Sequence, residues 1–238
     1  MLTEEERRGL ALFGGQAKCA RCHTVTAGDE KALVTDCTFD KLAMPKKPDN
    51  PVYNVNPGFI DLGLGGFLET RPYYAALAAA NEGKQKVPTL RNADKRPSAG
   101  FVKAYGHNGY FKSLKGIVHF YNTRDVKPVC PGDYTEAQAL AEGCWPAPEV
   151  AANVNTAELG NLGLSDQDED AIVAFLKSLS DGYEAGVQET WPYRVIRVFS
   201  GLRSDTWPYL SCSSRGWRST DARRIDRLAA LADKAPIF

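Results

Sequence analysis

Cys19, Cys22 and His23 stand together in the stretch AKCARCHTV, residues 17–25. Two thiols two residues apart can each form a thioether with a vinyl group of one porphyrin, and the adjacent histidine can then reach the iron. Two other chemistries use similar spacing. A redox dithiol needs a strand leading into the helix that carries it, and none is legible here. A zinc site needs a second pair of ligands, and neighbouring Cys22 and His23 would strain to share one tetrahedral ion. The spacing favours a covalent haem over both.

An iron held by His23 has a second face. The usual donors for it are scarce: Met1, Met44, His107 and His119. Met1 is terminal and Met44 lies in a proline-rich loop. Ser113 can cap a helix in which Leu114, Ile117, Val118 and Tyr121 fall at i, i+3, i+4 and i+7. At about 100° per residue, His119 points roughly 140° away from Leu114, toward the polar side, whereas Tyr121 lies within about 20° of it. On periodicity alone Tyr121 reads as a core tyrosine whose hydroxyl finds a neighbour.

The elements that must position these groups are short. Thr3 followed by Glu6 signals a capping box, with Leu10 and Phe13 at helical spacing, so a helix is expected over roughly 3–14, ending at Gly14–Gly15. Residues 36–68, rich in Pro, Gly and Asn, read as a long loop. An alanine-rich helix is expected from Tyr73 to Asn81, ended by Gly83. Residues 84–111 read as irregular and 124–164 as loop. Cys130 and Cys144 bracket a short segment of that second loop and could be bridged; Cys37 and Cys212 have no evident partner. Ser165 with Asp168 caps a last helix whose stripe is Ile172, Phe175, Leu176 and Leu179. No alternating strand is legible. The pattern is all-α: short helices and long loops wrapped around one attached group rather than a large side-chain core, as in a cytochrome c-like domain.

With 238 residues and 43% hydrophobic content the chain can bury a core of one or two domains. Its formal net charge of zero gives no reason to expect nucleic acid as a partner. No apolar run approaches a membrane span. The first residues, MLTEEERRGL, lack the apolar segment of a signal peptide. Composition changes abruptly near the end. Residues 188–238 hold eight of the fifteen arginines, three of the four tryptophans and one of the fourteen lysines. Such a shift marks an appendage, or a stretch that is non-native or read out of frame. The domain division is therefore 1–187 for the haem domain and 188–238 for an atypical Arg/Trp/Ser-rich tail.

Six segments, in order over about residues 3–185, carry a resemblance: RGLALFGGQAKCARCH, TDCTFDKLAMPKKPDNP, DLGLGG, KVPTLRN, YGHNGYFKSLKGIVHFYN and LGNLGLSDQDEDAIVAFLKSLSDGY. Together they resemble the C-terminal haem domain of the bacterial di-haem cytochrome c peroxidases and of their quinone-cofactor-maturing relatives. The resemblance implies one haem c, bound through Cys19 and Cys22, with His23 as proximal ligand of an electron-transfer haem. It places the distal ligand fourteen residues after the histidine of an H-[DN]-G turn. Here that turn is His107-Asn108-Gly109, and the position is Tyr121. The family usually has methionine there; the quinone-maturing relatives have tyrosine. A phenolate is a hard anionic donor that would favour ferric iron. The resemblance also suggests Arg91 for a haem propionate, with a surface ion pair as the alternative, Pro88 for the haem wall, Leu62 and Leu64 for haem contact, and His107 for the path between haems. Calcium often lies between the family's two domains, but the resemblance transfers no ligand for it.

The family works with two haems, whereas this chain has one C-x-x-C-H. A peroxidatic haem domain would precede residue 1. Haem attachment of this kind requires export, so a periplasmic location is expected. The resulting expectation is an electron-transfer domain of a peroxidase-type oxidoreductase. It would take electrons from a small donor such as a cytochrome or cupredoxin and pass them to a missing N-terminal haem domain that reduces hydrogen peroxide. The alternative is a self-contained mono-haem peroxidase with an open iron site.

Overall fold

The computed structural model describes residues 1–25, 33–98 and 100–183. Among them are six helices: α1 (Glu4–Gly14), α2 (Val52–Val55), α3 (Gly63–Glu69), α4 (Leu114–Thr123), α5 (Glu136–Glu142) and α6 (Asp166–Ser178). Two short strands, β1 (Phe39–Asp40) and β2 (Gln85–Lys86), pair antiparallel with Phe39 opposite Lys86. No helix among the described residues is long and apolar enough to cross a membrane. Residues 188–238, and with them Cys212, lie outside the described residues.

The local signals at the long helices act as their chemistry dictates. Thr3 Oγ1 accepts from the Glu6 N–H at 3.3 Å, and Glu6 Oε2 accepts from the Thr3 N–H at 2.7 Å. Ser165 and Asp168 make the same reciprocal pair at the start of α6, at 3.2 and 3.0 Å. Ser113 Oγ accepts from the Gly116 N–H at 2.9 Å and opens α4. Each cap satisfies backbone donors that the first turn leaves free.

Helices α1 and α6 form the main packed pair. A Cβ on Gly9 would stand 1.9 Å from the Ala171 carbonyl oxygen, so only glycine lets the helices approach this closely. Phe13 meets Phe175 edge-on with centroids 5.2 Å apart. Around them Leu114, Val118, Leu164, Ile172 and Leu176 complete a first core. A second core gathers Met44, Tyr110, Phe111, Phe120 and Trp145 beside the Cys130–Cys144 disulfide. Helix α4 stands between the two, with Leu114 and Val118 in the first, Phe120 in the second, and Ile117 and Tyr121 packed partly on the second.

Several sequence expectations need correction. Residues 36–68 are not all loop: α2 and α3 lie within them. Residues 124–164 contain α5, which has its own capping box of Thr135 and Gln138 and a left-handed Gly143 after its end, φ 66°. The expected helix over Tyr73–Asn81 is two 3₁₀ turns, Ala75–Leu77 and Ala79–Asn81. His119, expected on the polar side of α4, is half-buried there and turns toward α6 and a buried carboxylate, Glu169. Cys37, without an evident partner in the sequence, is disulfide-bonded.

Candidate functional site

The C-x-x-C-H segment is one tight turn. Lys18 adopts the left-handed region, φ 57°, and starts a 3₁₀ turn over Cys19–Arg21. The N–H groups of Cys22 and His23 both donate to the Cys19 carbonyl, at 3.3 and 2.9 Å. This folding presents two thiols and one imidazole from five consecutive residues. The loop 33–38 closes over the turn. The Asp36 N–H donates to the Cys22 carbonyl at 2.9 Å, and His23 Nδ1 donates to the Val34 carbonyl at 3.0 Å. With Nδ1 so engaged, Nε2 is the nitrogen left to coordinate a metal.

The segment around Pro88 supports that loop from behind. The Val87 N–H donates to the Thr38 carbonyl at 2.8 Å, Thr35 Oγ1 donates to the Val87 carbonyl at 2.8 Å, and Thr89 Oγ1 donates to the Leu33 carbonyl. Pro88 itself is exposed. Arg91 reaches Asp181 at 2.7 Å, an ion pair of the kind weighed against a propionate contact. Leu62 and Leu64, at the start of α3, are half-buried and belong to neither core. His107 Nε2 stands 3.7 Å from Asp61 Oδ2.

Tyr121 lies in the electrostatic field of Cys19, Cys22 and Asp40. Burial pushes its phenol above the ordinary tyrosine value; those three groups add to the rise and Arg124 opposes it. Its hydroxyl makes no hydrogen bond with any described residue. Tyr121 is thus within electrostatic reach of the C-x-x-C-H turn, about a hundred residues away in sequence, and the 155–164 segment links the two. The Gly160 N–H donates to the Tyr121 carbonyl at 2.6 Å, and Glu158 Oε2 stands 3.7 Å from Cys22 Sγ. The rival donors are held elsewhere. Met44 is buried in the second core against Gly106. His119 Nδ1 donates to Glu169 at 2.9 Å.

The thiols do not suit a redox dithiol. Burial pushes Cys19 up to about 12; burial, then Glu158, Asp40 and Asp36, push Cys22 up to about 12. A reactive dithiol needs the opposite shift. Burial also lowers His23, against the Val34 carbonyl and Asp36, which keeps the imidazole neutral and able to coordinate. Cys22, Asp40 and Glu158 are the one group among the described residues with metal-like spacing, their ligand atoms within 4.8 Å of one another. Asn155 Nδ2 bridges the two carboxylates at 2.7 and 2.8 Å, so they already form a hydrogen-bonded cluster. Asp40, Asn155 and Glu158 gave no local signal in the sequence, because their approach to Cys22 is entirely tertiary.

A haem fits this donor set. Cys19, Cys22, His23 and Tyr121 are each strongly desolvated by surrounding protein, yet none is fully buried. The set comprises two free thiols, an imidazole whose Nε2 is left to coordinate, and a phenol without a hydrogen bond to any described residue.

No protein-family model matches the chain. Individual proteins do. Cytochrome-c peroxidase IdrP2 of Pseudomonas sp. strain SCT is 27% identical over 188 residues, covering 75% of this chain and 40% of IdrP2. The methylamine utilization protein MauG of Paracoccus denitrificans is 37% identical over 115 residues, 47% of this chain and 27% of MauG. The crystal structure of the diheme peroxidase BthA from Burkholderia thailandensis superposes with a TM-score of 0.59 at 27% identity, covering 76% of this chain and 44% of BthA. The chain is similar in sequence to these cytochrome-c peroxidases and to MauG, and in fold to a diheme peroxidase. It spans about two fifths of the length of these peroxidases. Its helical architecture is that of part of a di-haem peroxidase.

Proposed function

We propose that residues 1–187 form a c-type haem domain that carries electrons within a two-haem, peroxide-reducing oxidoreductase. Cys19 and Cys22 would hold the haem by thioethers, and His23 Nε2 and the Tyr121 oxygen would take the two faces of the iron. Bound there, the haem supplies a one-electron ferric–ferrous couple. The protein's part is to fill both faces, exclude water and set the potential. The Val34 carbonyl holds the His23 ring in one tautomer. Burial keeps that ring neutral. A phenolate opposite it would favour the ferric state and lower the potential relative to a thioether donor.

The observation that carries this reading is the C-x-x-C-H turn, with His23 Nδ1 held by the Val34 carbonyl at 3.0 Å, tied through the segment of Glu158 and Gly160 to Tyr121, whose hydroxyl makes no hydrogen bond with any described residue. An iron closed on both faces transfers electrons but offers no place for peroxide. Peroxide reduction would then fall to a second haem in the part of the relatives' length that this chain does not span. A small electron-donor protein and a periplasmic location follow from the same reading. Arg91, already paired with Asp181, is left out of the haem site.

The test is the ferric electron paramagnetic resonance spectrum of the chain matured with haem, beside Tyr121→Phe. The expected result is a low-spin signal that turns high-spin in the variant. A dominant high-spin signal before mutation would mean an open face, favouring the self-contained mono-haem peroxidase. A low-spin signal indifferent to Tyr121→Phe would remove the ligand assignment.

A further inference from the structure

The strap of residues 155–164 touches both the haem-attachment turn and the helix that bears Tyr121. On the attachment side, Lys18 Nζ donates to the Ala157 carbonyl at 2.8 Å. Gln16 Nε2 donates to the carbonyls of Leu162 and Gly163, both at 3.1 Å. Cys22 Sγ stands 3.7 Å from Glu158 Oε2. On the other side the strap is fastened to the end of α4. The Gly160 N–H donates to the Tyr121 carbonyl at 2.6 Å and the Leu162 N–H to the Asn122 carbonyl at 3.2 Å. Arg124 donates to the carbonyls of Asn155 and Leu159 at 2.9 and 3.3 Å.

Asn122 makes the most complete of these attachments. Its Oδ1 accepts from the Leu164 N–H at 3.0 Å, and its Nδ2 donates to the Leu164 carbonyl at 2.9 Å. The same Nδ2 donates to Glu169 Oε1 at 2.6 Å. The residue is 5% exposed, so water cannot replace a lost bond. The neighbouring phenol, by contrast, has no hydrogen bond among the described residues to orient it. Only the backbone of α4 and the surrounding packing decide where the Tyr121 oxygen stands. A functional atom of this kind must be held within about 0.5 Å to act.

We propose that Asn122 is a positioning residue: by locking α4 to the 155–164 strap, it sets the span between the His23 turn and the Tyr121 oxygen. This rests on the reading of His23 and Tyr121 as the two axial ligands. Asn122 itself touches neither iron nor haem in this proposal. It acts through the neighbouring residue and through a strap anchored at Gln16 and Lys18, just ahead of the thiols.

The experiment uses the full chain matured with haem and reads the ferric spin state by electron paramagnetic resonance. Asn122→Ala removes the amide. Gly160→Ala attacks the strap without touching Asn122, since a Cβ there would stand 2.0 Å from Asp125 Oδ2 on a backbone at φ 104°. Each should raise the ratio of high-spin to low-spin haem by about tenfold, the equivalent of losing one or two net hydrogen bonds from the ligated state. Val118→Ala takes core packing from the same helix and should leave the ratio at the wild-type value. The proposal is overturned if Asn122→Ala, or Gly160→Ala where the first does not fold, keeps the wild-type ratio. It is equally overturned if Val118→Ala shifts the ratio as far, because the effect would then be general loosening. Tyr121→Phe separates the two layers. If that variant alone changes the spectrum, the ligand stands and the positioning role fails; if it changes nothing, the ligand reading fails and the positioning role falls with it.

Discussion

His119 Nδ1 donates to Glu169 Oε1 at 2.9 Å, and Glu169 is 1% exposed. Asn122 Nδ2 donates to the same oxygen at 2.6 Å, and Lys115 Nζ stands 3.5 Å from the other. This knot ties α4 to α6 beside the first core. Burial pushes the Glu169 carboxyl up, but the bonds from His119 and Asn122 and the charge of Lys115 bring it below its ordinary value of 4.5. A carboxyl depressed in the folded state gives stability that is full above the unfolded pKa and is lost as pH falls through the folded one. Glu169→Gln should therefore cost about 1–3 kcal/mol near neutral pH, and the cost should shrink on acidification. Urea midpoints of both proteins across that range measure it. A cost that stays constant down to strongly acidic pH would rule out the ionised knot.

The elements that the sequence predicts well are those whose signals are local. Thr3 with Glu6, Ser113, and Ser165 with Asp168 start helices because a side chain three residues away satisfies the first free N–H groups. The same chemistry was present at Thr135 and Gln138, but the prolines and cysteines around them argued for loop, and α5 was missed. Helix α3 contains Gly63, Gly65 and Gly66 and has no propensity to form alone. It exists because a neighbouring backbone needs glycine there: a Cβ on Gly65 would stand 2.5 Å from the Glu82 Cα. At the candidate site, spacing singles out the thiols and His23, and helical phase joined to the family resemblance singles out Tyr121; their roles remain the proposal. Val34 was not readable, because a backbone carbonyl at φ 55° carries no mark in the residue type. Helical phase puts His119 on the polar side of α4, but its partner Glu169 was not readable, because that carboxylate arrives from α6.

The α1–α6 contact makes a prediction whose sign separates packing from propensity. In an exposed helix, glycine to alanine gains roughly 0.5–1 kcal/mol. At Gly9 the added Cβ would overlap the Ala171 carbonyl, so Gly9→Ala should instead destabilise by about 1–3 kcal/mol. Gly14, at the end of the same helix, has nothing within 4 Å of its Cβ position. Gly14→Ala should be neutral to stabilising. Thermal melts of the two variants check the pair, and a stabilised Gly9→Ala would mean that the helices do not meet at Ala171.

The Cys130–Cys144 bridge closes a separation of 14 residues, with the two Cα atoms 5.2 Å apart. Beside it Trp145 is buried, and its Nε1–H donates to Thr123 Oγ1 at 3.0 Å, which links the loop to the end of α4. Cross-linking a loop of this length stabilises by about 3 kcal/mol. The double variant Cys130→Ser/Cys144→Ser should lose about that much and loosen the near-ultraviolet signal of Trp145. Mass spectrometry without reductant should recover the two peptides linked. Recovery of both as free thiols would end the assignment.

The two readings of the C-x-x-C pair predict different covalent states. Thiols pushed up to about 12 hold almost no thiolate near neutral pH, so Cys19 and Cys22 are poor redox partners for one another. Both are unbridged although the chain forms other disulfides. Produced with a c-type maturation system, the chain should gain the mass of one haem that survives denaturation. Cys19→Ala and Cys22→Ala should each leave a single thioether, visible as a shifted pyridine haemochrome band, and the double variant should release its haem on denaturation. A wild-type chain of unmodified mass carrying a Cys19–Cys22 disulfide would favour the dithiol. Tyr121 would then be an enclosed tyrosine with no metal to face, and the electron-transfer reading would fail at its first step.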